Sequence, residues 1–171
     1  MSDEAEIAWQ GKWLSVKRQG KWEYVSRARG IEAVVILAID AQDRVVLIDQ
    51  YRVPLGRRCL ELPAGLVGDD HEADTPESAA VRELEEETGF TASEIEPLGY
   101  FHSSPGMVSE GFNLVRLRGL TRIAEGGGIG DEDIVTHHVP LAEVPAFVAA
   151  RRAEGMAVDV KLLLLLAGSI L

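Results

Sequence analysis

The stretch RELEEETGF, Arg82 to Phe90, places four acidic side chains in nine positions: Glu83, Glu85, Glu86 and Glu87. Like charges three or four apart on a helix repel by roughly 0.2–0.5 kcal/mol per pair. Such crowding has two explanations. One is a solvated acidic face, the usual fate of a charge run. The other is a cation that gathers the carboxylates. At about 100° per residue, Ala80, Val81, Leu84 and Thr88 share one arc, the face expected to meet the core. Glu83 and Glu87 are four apart, so their side chains lie one above the other. Glu86, three after Glu83, joins the patch, and Glu85 points elsewhere. Three carboxylates thus cluster beside the buried face, an oxygen-rich set on a rigid element that suits hard divalent cations. Arg82 flanks the cluster and is placed to pair with a carboxylate. The helix is predicted to start at Thr75 as N-cap with Pro76 first, to run to about Thr88 and to close at Gly89.

Working outward, IEAVVILAID and VVLIDQYRV read as two antiparallel strands joined by the turn AQDR. RRCLELPAGLV reads as a short strand ending in a Pro-Gly loop, followed by the polar loop GDDHEAD. The first segment, which holds Trp9, Trp13 and Trp22, alternates like a hairpin. After the helix come strands in EPLGYFHSSPG and FNLVRLRGL, a glycine-rich loop AEGGGIGDED read as mobile, and the strand IVTHHVPL. Two terminal helices follow. The last, in LLLLLAGSIL, is too short to cross a bilayer, which takes about 20 residues, and is expected to be buried. Many strands and few helices indicate an α+β class or a mixed α/β/α sandwich, with an N-terminal antiparallel hairpin.

The 171 residues suit one domain with a full core. A net charge of −11 argues against general nucleic-acid binding, which needs a basic face. It leaves room for an anionic small substrate if metal ions supply positive charge. The single cysteine, Cys59, excludes an internal disulfide, fits a reducing cytoplasm and reads as a core residue. The acidic, polar N-terminus is not a signal peptide, and neither a targeting segment nor a membrane span is expected.

Gly65 to Phe90 resembles the Nudix box, G-x5-E-x7-R-E-U-x-E-E-x-G-U with U apolar. Arg82, Glu83, Leu84, Glu86, Glu87, Gly89 and Phe90 match its second half at every fixed position. The first half departs. Asp74 stands where the family has its first Glu, eight residues before Arg82. The family's Gly aligns with Gly68 at the usual spacing, or with Gly65 if the loop is three residues longer. ELPAG favours Gly65, because it is similar to the approach to this helix in ADP-ribose pyrophosphatases. VVLIDQYRVP, SSPGMVSE and DEDIVTHHVPLAEV also resemble that branch.

The resemblance implies a Nudix-like fold over residues 31–171. Residues 1–30 would form strands that exchange between the subunits of a homodimer. Glu83, Glu86, Glu87 and the Ala64 carbonyl would hold metal, Mg²⁺ being expected and Mn²⁺ the alternative. Glu132, with Asp131 as runner-up, would be the mobile catalytic carboxylate, with Glu86 and Arg82 completing the catalytic set. Arg52, Glu110 and Gly65 would meet substrate; Arg57 and Arg58 are weaker choices. Trp22, or Trp13, would stack a base across the dimer. His102, His137 and His138 read as strand residues. The implied reaction is hydrolysis of a nucleoside diphosphate sugar, ADP-ribose giving AMP and ribose 5-phosphate. GDP-mannose is the rival substrate, and a non-catalytic nucleotide sensor is the rival role.

Overall fold

The computed structural model describes residues 4–68, 74–130 and 132–170. The chain runs β1 (Glu6–Gln10), β2 (Leu14–Gln19), β3 (Trp22–Arg27), β4 (Glu32–Ala38), β5 (Arg44–Arg52), β6 (Arg57–Glu61) and β7 (Ala64–Val67). It continues with α1 (Pro76–Thr88), β8 (Phe90–Thr91), β9 (Glu94–His102), β10 (Gly111–Arg118), β11 (Thr121–Arg122) and β12 (Val135–Pro140). Helix α2 (Val144–Ala153), β13 (Ala157–Val158) and α3 (Leu163–Ile170) complete it.

Two four-stranded mixed sheets carry the core, in the orders β7-β4-β10-β9 and β12-β5-β6-β13. Strand β10 is parallel to β4 and antiparallel to β9. Alternation along β4 divides the interior in two. Val34, Ile36 and Ala38 pack with Ala79, Ala80 and Leu84 of α1. Val35, Leu37 and Ile39 face Leu47, Leu60, Val144 and Val148, from the second sheet and α2. The α+β reading therefore holds, with a mixed sheet beneath α1.

Four expectations change. Strands β4 and β5 are not a hairpin. Their only pairing among the described residues is the isolated antiparallel bridge Ile39–Val45, after which each enters a different sheet. RRCLELPAGLV is likewise not a strand ending in a loop. The chain crosses between sheets at Leu62–Pro63, ending β6 and opening β7. The N-terminal segment is a three-stranded antiparallel meander, β1-β2-β3, instead of a hairpin. In the C-terminal leucine run, Leu162 is fully buried, but Leu163 and Leu164 are about half exposed and α3 has no buried residue. Only one stripe of this helix, Leu165 and Leu166, packs against the core, and these two are partly buried. Among the described residues no helix is long and apolar enough to cross a membrane.

Candidate active site

Helix α1 forms as its sequence dictates. Thr75 Oγ1 accepts from the Ser78 N–H at 3.2 Å, the Ser78 hydroxyl accepts from the Thr75 N–H at 2.8 Å, and Gly89 closes the helix at φ 76°. The reciprocal cap satisfies donors that a helix start otherwise orphans. The apolar face packs inward and turns Glu83, Glu86 and Glu87 to the wall of a cavity of about 840 Å³. Ala64, Gly65, Arg52, Glu110, Arg82 and Glu132 line the same cavity. Residues from β5, β7, α1 and the loops before β10 and β12 are thus gathered in one place. Trp22 is 55% exposed on the N-terminal sheet and does not line the cavity of its own chain. Asp131 lies outside the described residues.

Gly65 meets Glu83 directly. A Cβ at position 65 would lie 1.9 Å from the Glu83 carboxyl carbon. Only glycine lets that carboxylate lie across β7, where the Leu66 N–H donates to its Oε1 at 3.3 Å. Arg82 Nη1 stands 2.9 Å from the same oxygen and donates to Glu86 Oε2 at 3.2 Å. Arg82 Nη2 donates to the Leu66 carbonyl at 2.9 Å and to Asp74 at 3.3 Å. Arg82 therefore acts as a brace between strand and helix. Burial pushes the Asp74 carboxyl up, but hydrogen bonds from Ser78 and Arg82 outweigh it and hold the group below its usual range. Asp74 buttresses Arg82 from the approach to the helix.

The loop read as mobile is docked. The N–H groups of Gly127 and Gly128 donate to the carbonyls of Glu87 and Glu86 at 2.9 and 3.0 Å. These carbonyls belong to the last helical turn, which leaves acceptors unsatisfied. The glycines serve close approach: a Cβ on Gly126, whose φ is 76°, would stand 2.4 Å from Thr88 backbone. Glu132 folds back so that its Oε2 accepts from the Ile129 N–H at 2.9 Å. Docking this loop on α1 brings Glu132 towards Glu87.

The electrostatics of the cavity are lopsided. Seven carboxylates line it (Glu61, Glu83, Glu86, Glu87, Glu110, Glu132, Asp159) against four cations. Each cation is already engaged: Arg27 with Glu110, Arg52 with Glu61, Arg82 with Glu83 and Glu86, and Lys161 with Asp159 at 2.7 Å. Arg52 is bidentate, at 2.7 Å on both arms. Glu87 and Glu132 have no cationic partner at salt-bridge distance among the described residues. Glu87 is 5% exposed. Burial pushes its carboxyl up to about 9, with Glu83 and Glu132 adding to the rise against the Ala64 N–H at 3.1 Å. Burial also raises Glu83. Among the described residues, no three acidic, histidine or cysteine side chains form a ready-made cation cage. The donor set nonetheless fits a divalent cation: hard oxygens, excess negative charge and a buried carboxylate that is unfavourable alone.

Arg27, Glu61, Asp159 and Lys161 were not singled out from the sequence. Glu61 sits in the quoted ELPAG, where its position next to a Pro-Gly crossover was its one signal. Arg27 reaches the cavity because β3 meets the loop before β10: the Val25 and Ser109 N–H groups donate to the Met107 and Val25 carbonyls at 2.9 Å. Cys59 is buried, its thiol pushed up to about 12 by desolvation, as a core residue should be. His102 lies on β9 and His137 and His138 on β12, as read.

The family model described as NUDIX domain matches residues 29–156. The chain belongs to the Nudix family. It is 36% identical over 121 residues to an ADP-ribose pyrophosphatase of Mycobacterium tuberculosis, covering 70% of this chain and 55% of that one. An ADP-ribose pyrophosphatase of Bacillus subtilis is 33% identical over 103 residues, 60% of this chain and 54% of that one. A GDP-mannose pyrophosphatase of Citrobacter koseri is 33% identical over 128 residues, 70% and 65% of the respective chains. The chain spans about half the length of the curated relatives it matches. The fold is similar to the crystal structure of an ADP compounds hydrolase, with a TM-score of 0.71 at 24% identity, covering 98% of this chain and 94% of that chain.

Proposed function

We propose that the chain is a divalent-cation-dependent hydrolase of nucleoside diphosphate sugars, with ADP-ribose as its best substrate and AMP and ribose 5-phosphate as products. The observation that carries this reading is the pair Glu87 and Glu132, without cationic partners among the described residues, in a cavity whose own cations are engaged. A diphosphate cannot enter such a cavity without added positive charge. Glu83, Glu86, Glu87 and the Ala64 carbonyl would hold Mg²⁺, or Mn²⁺ in its place. The cation, when bound, neutralises the diphosphate and lowers the pKa of a coordinated water.

The chain supplies the rest. Glu132 accepts the proton of the water that adds to phosphorus, and one P–O bond of the anhydride breaks. Arg82 keeps Glu83 and Glu86 in place. Arg52, held rigid by Glu61, faces a phosphate or ribose, and Glu110 faces a sugar hydroxyl. An apolar recess of about 300 Å³ adjoins the cavity and shares Ser103, Phe112 and Lys161 with it. A charged chamber beside an apolar one supports a substrate that joins a diphosphate to a nucleoside.

The test is phosphate-monoester release from ADP-ribose, ADP-glucose and GDP-mannose, with Mg²⁺ and with EDTA. Turnover of ADP-ribose at least about tenfold above the others, abolished by EDTA, is expected. Preference for GDP-mannose, the substrate named for one relative, would keep the chemistry and change the substrate. Binding without turnover of any would mark a sensor.

The exposed Trp9, Trp13 and Trp22 of the N-terminal sheet support a homodimer, in which Trp22 would stack the base bound by a second copy. Sedimentation at micromolar concentration should show a dimer, and Trp22→Ala should raise KM more than it lowers kcat. A monomer at full activity would exclude both roles. The lone buried thiol is compatible with a reducing, cytoplasmic setting.

A further inference from the structure

Arg58 lies on β6 and is not among the residues that line the cavity. Its guanidinium is divided between two anchors. On one side Nε donates to Oδ1 of the buried Asp49, and Nη2 donates to the Asp49 carbonyl at 2.8 Å. On the other, Nη1 donates to Asp133 Oδ2 at 2.7 Å and Nη2 to the Asp133 carbonyl at 2.9 Å. Asp49 Oδ2 in turn stands 2.5 Å from Nε2 of His137 on β12. One planar group therefore ties the residue after Glu132 to β5 and β6. A rigid fork loses less freedom per hydrogen bond than a flexible ammonium, so lysine is a poor replacement here. At the other end of the same loop, Gly127 and Gly128 are bonded to α1. Glu132 is thus strung between the carboxylate helix and Arg58.

We propose that Arg58 is a positioning residue, whose fork on Asp133 sets where the Glu132 carboxylate stands in the cavity. This rests on the reading of Glu132 as the proton acceptor. The Asp133 side chain is 81% exposed, so Asp133→Ala removes one arm of the clamp without touching the core. Arg58→Lys keeps a positive charge for Asp49 but cannot span both anchors.

Steady-state kinetics with the best substrate of the panel and saturating Mg²⁺ test the assignment. Arg58→Lys should lower kcat by about tenfold or more while KM stays within about twofold. Asp133→Ala should give a smaller loss in the same direction. In a Glu132→Gln background, neither should cost anything further, because a residue that acts through Glu132 has nothing left to position. A folded Arg58→Lys at the parental kcat, or one that loses as much again without Glu132, would overturn the clamp. If Arg58→Lys does not fold, Asp133→Ala with and without Glu132→Gln carries the same comparison. Parental turnover by Glu132→Gln alone would remove the proton-acceptor reading and this assignment with it. A slow Glu132→Gln beside fully active clamp variants would remove this assignment only.

Discussion

Glu87→Gln is expected to slow turnover about 1,000-fold, the equivalent of ~4 kcal/mol of lost barrier lowering, while leaving the protein folded. The substitution keeps the shape of the side chain and the Ala64 N–H contact but removes the charge a cation would need. Its effect on stability should run the other way. In EDTA at neutral pH, the buried Glu87 carboxyl, raised to about 9, holds a proton that the unfolded chain releases near its ordinary 4.5. The folded state then binds more protons than the unfolded one, so this contribution falls as pH rises from about 4.5 through about 9. Burial depresses His138 below its ordinary 6.5, and its contribution is complete above that value. Thermal melts between about pH 7 and 8.5 therefore lie above the His138 titration. The parent in EDTA should lose Tm across that window. Glu87→Gln should show a shallower slope and a higher Tm at the alkaline end. Parental turnover together with a parental slope would mean that Glu87 neither serves a cation nor stands under electrostatic load.

Gly65→Ala should cost about 100-fold in kcat/KM, the scale of a 1 Å misplacement at a reacting centre, with only a small fall in Tm. The backbone at this position is not among those with positive φ, so alanine meets no conformational penalty there. What it meets is the Glu83 carboxyl, at 1.9 Å from carbon and 2.1 Å from Oε1. That obstacle is the flexible end of a side chain, so Glu83 turns aside and the strand stays. The Leu66 N–H and Arg82 Nη1 would then lose their shared acceptor. The substitution misplaces a carboxylate without removing its charge, which separates geometry from electrostatics. If Gly65→Ala matched the parent while Glu83→Gln did not, the pose of Glu83 across β7 would not be the working one. If it unfolded the protein, the clash would have been relieved by backbone.

How much was legible follows from how local each signal is. Thr75, Pro76, the period of Ala80, Leu84 and Thr88, and Gly89 all lie within one helix, and α1 forms as they indicate. The carboxylate patch is equally local, because residues three and four apart must meet on a helix. The split of β4 and β5 was not legible. Both strands are near-continuous apolar runs, as strands buried on two faces are, and such runs carry no mark of which neighbour they pair with. The pairs Arg52–Glu61 and Arg27–Glu110 join residues 9 and 83 positions apart, beyond any periodicity. The docking of Gly127 and Gly128 is made by backbone alone, so the same glycines that suggest freedom are required for contact. The leucine run at the C-terminus shows that apolar composition sets what a helix prefers to touch, not whether a neighbour is there.

The attachment of the glycine segment to the end of α1 bears on how this chain tolerates changes of length. Gly127 and Gly128, just before Glu132, are bonded to the carbonyls of Glu87 and Glu86. The number of positions from Gly128 to Glu132 therefore acts as a ruler. An insertion or deletion inside that span would shift one carboxylate relative to the others, even if every side chain were retained. Residues on the far side of the anchor, between β11 and Gly126, are not part of that measure.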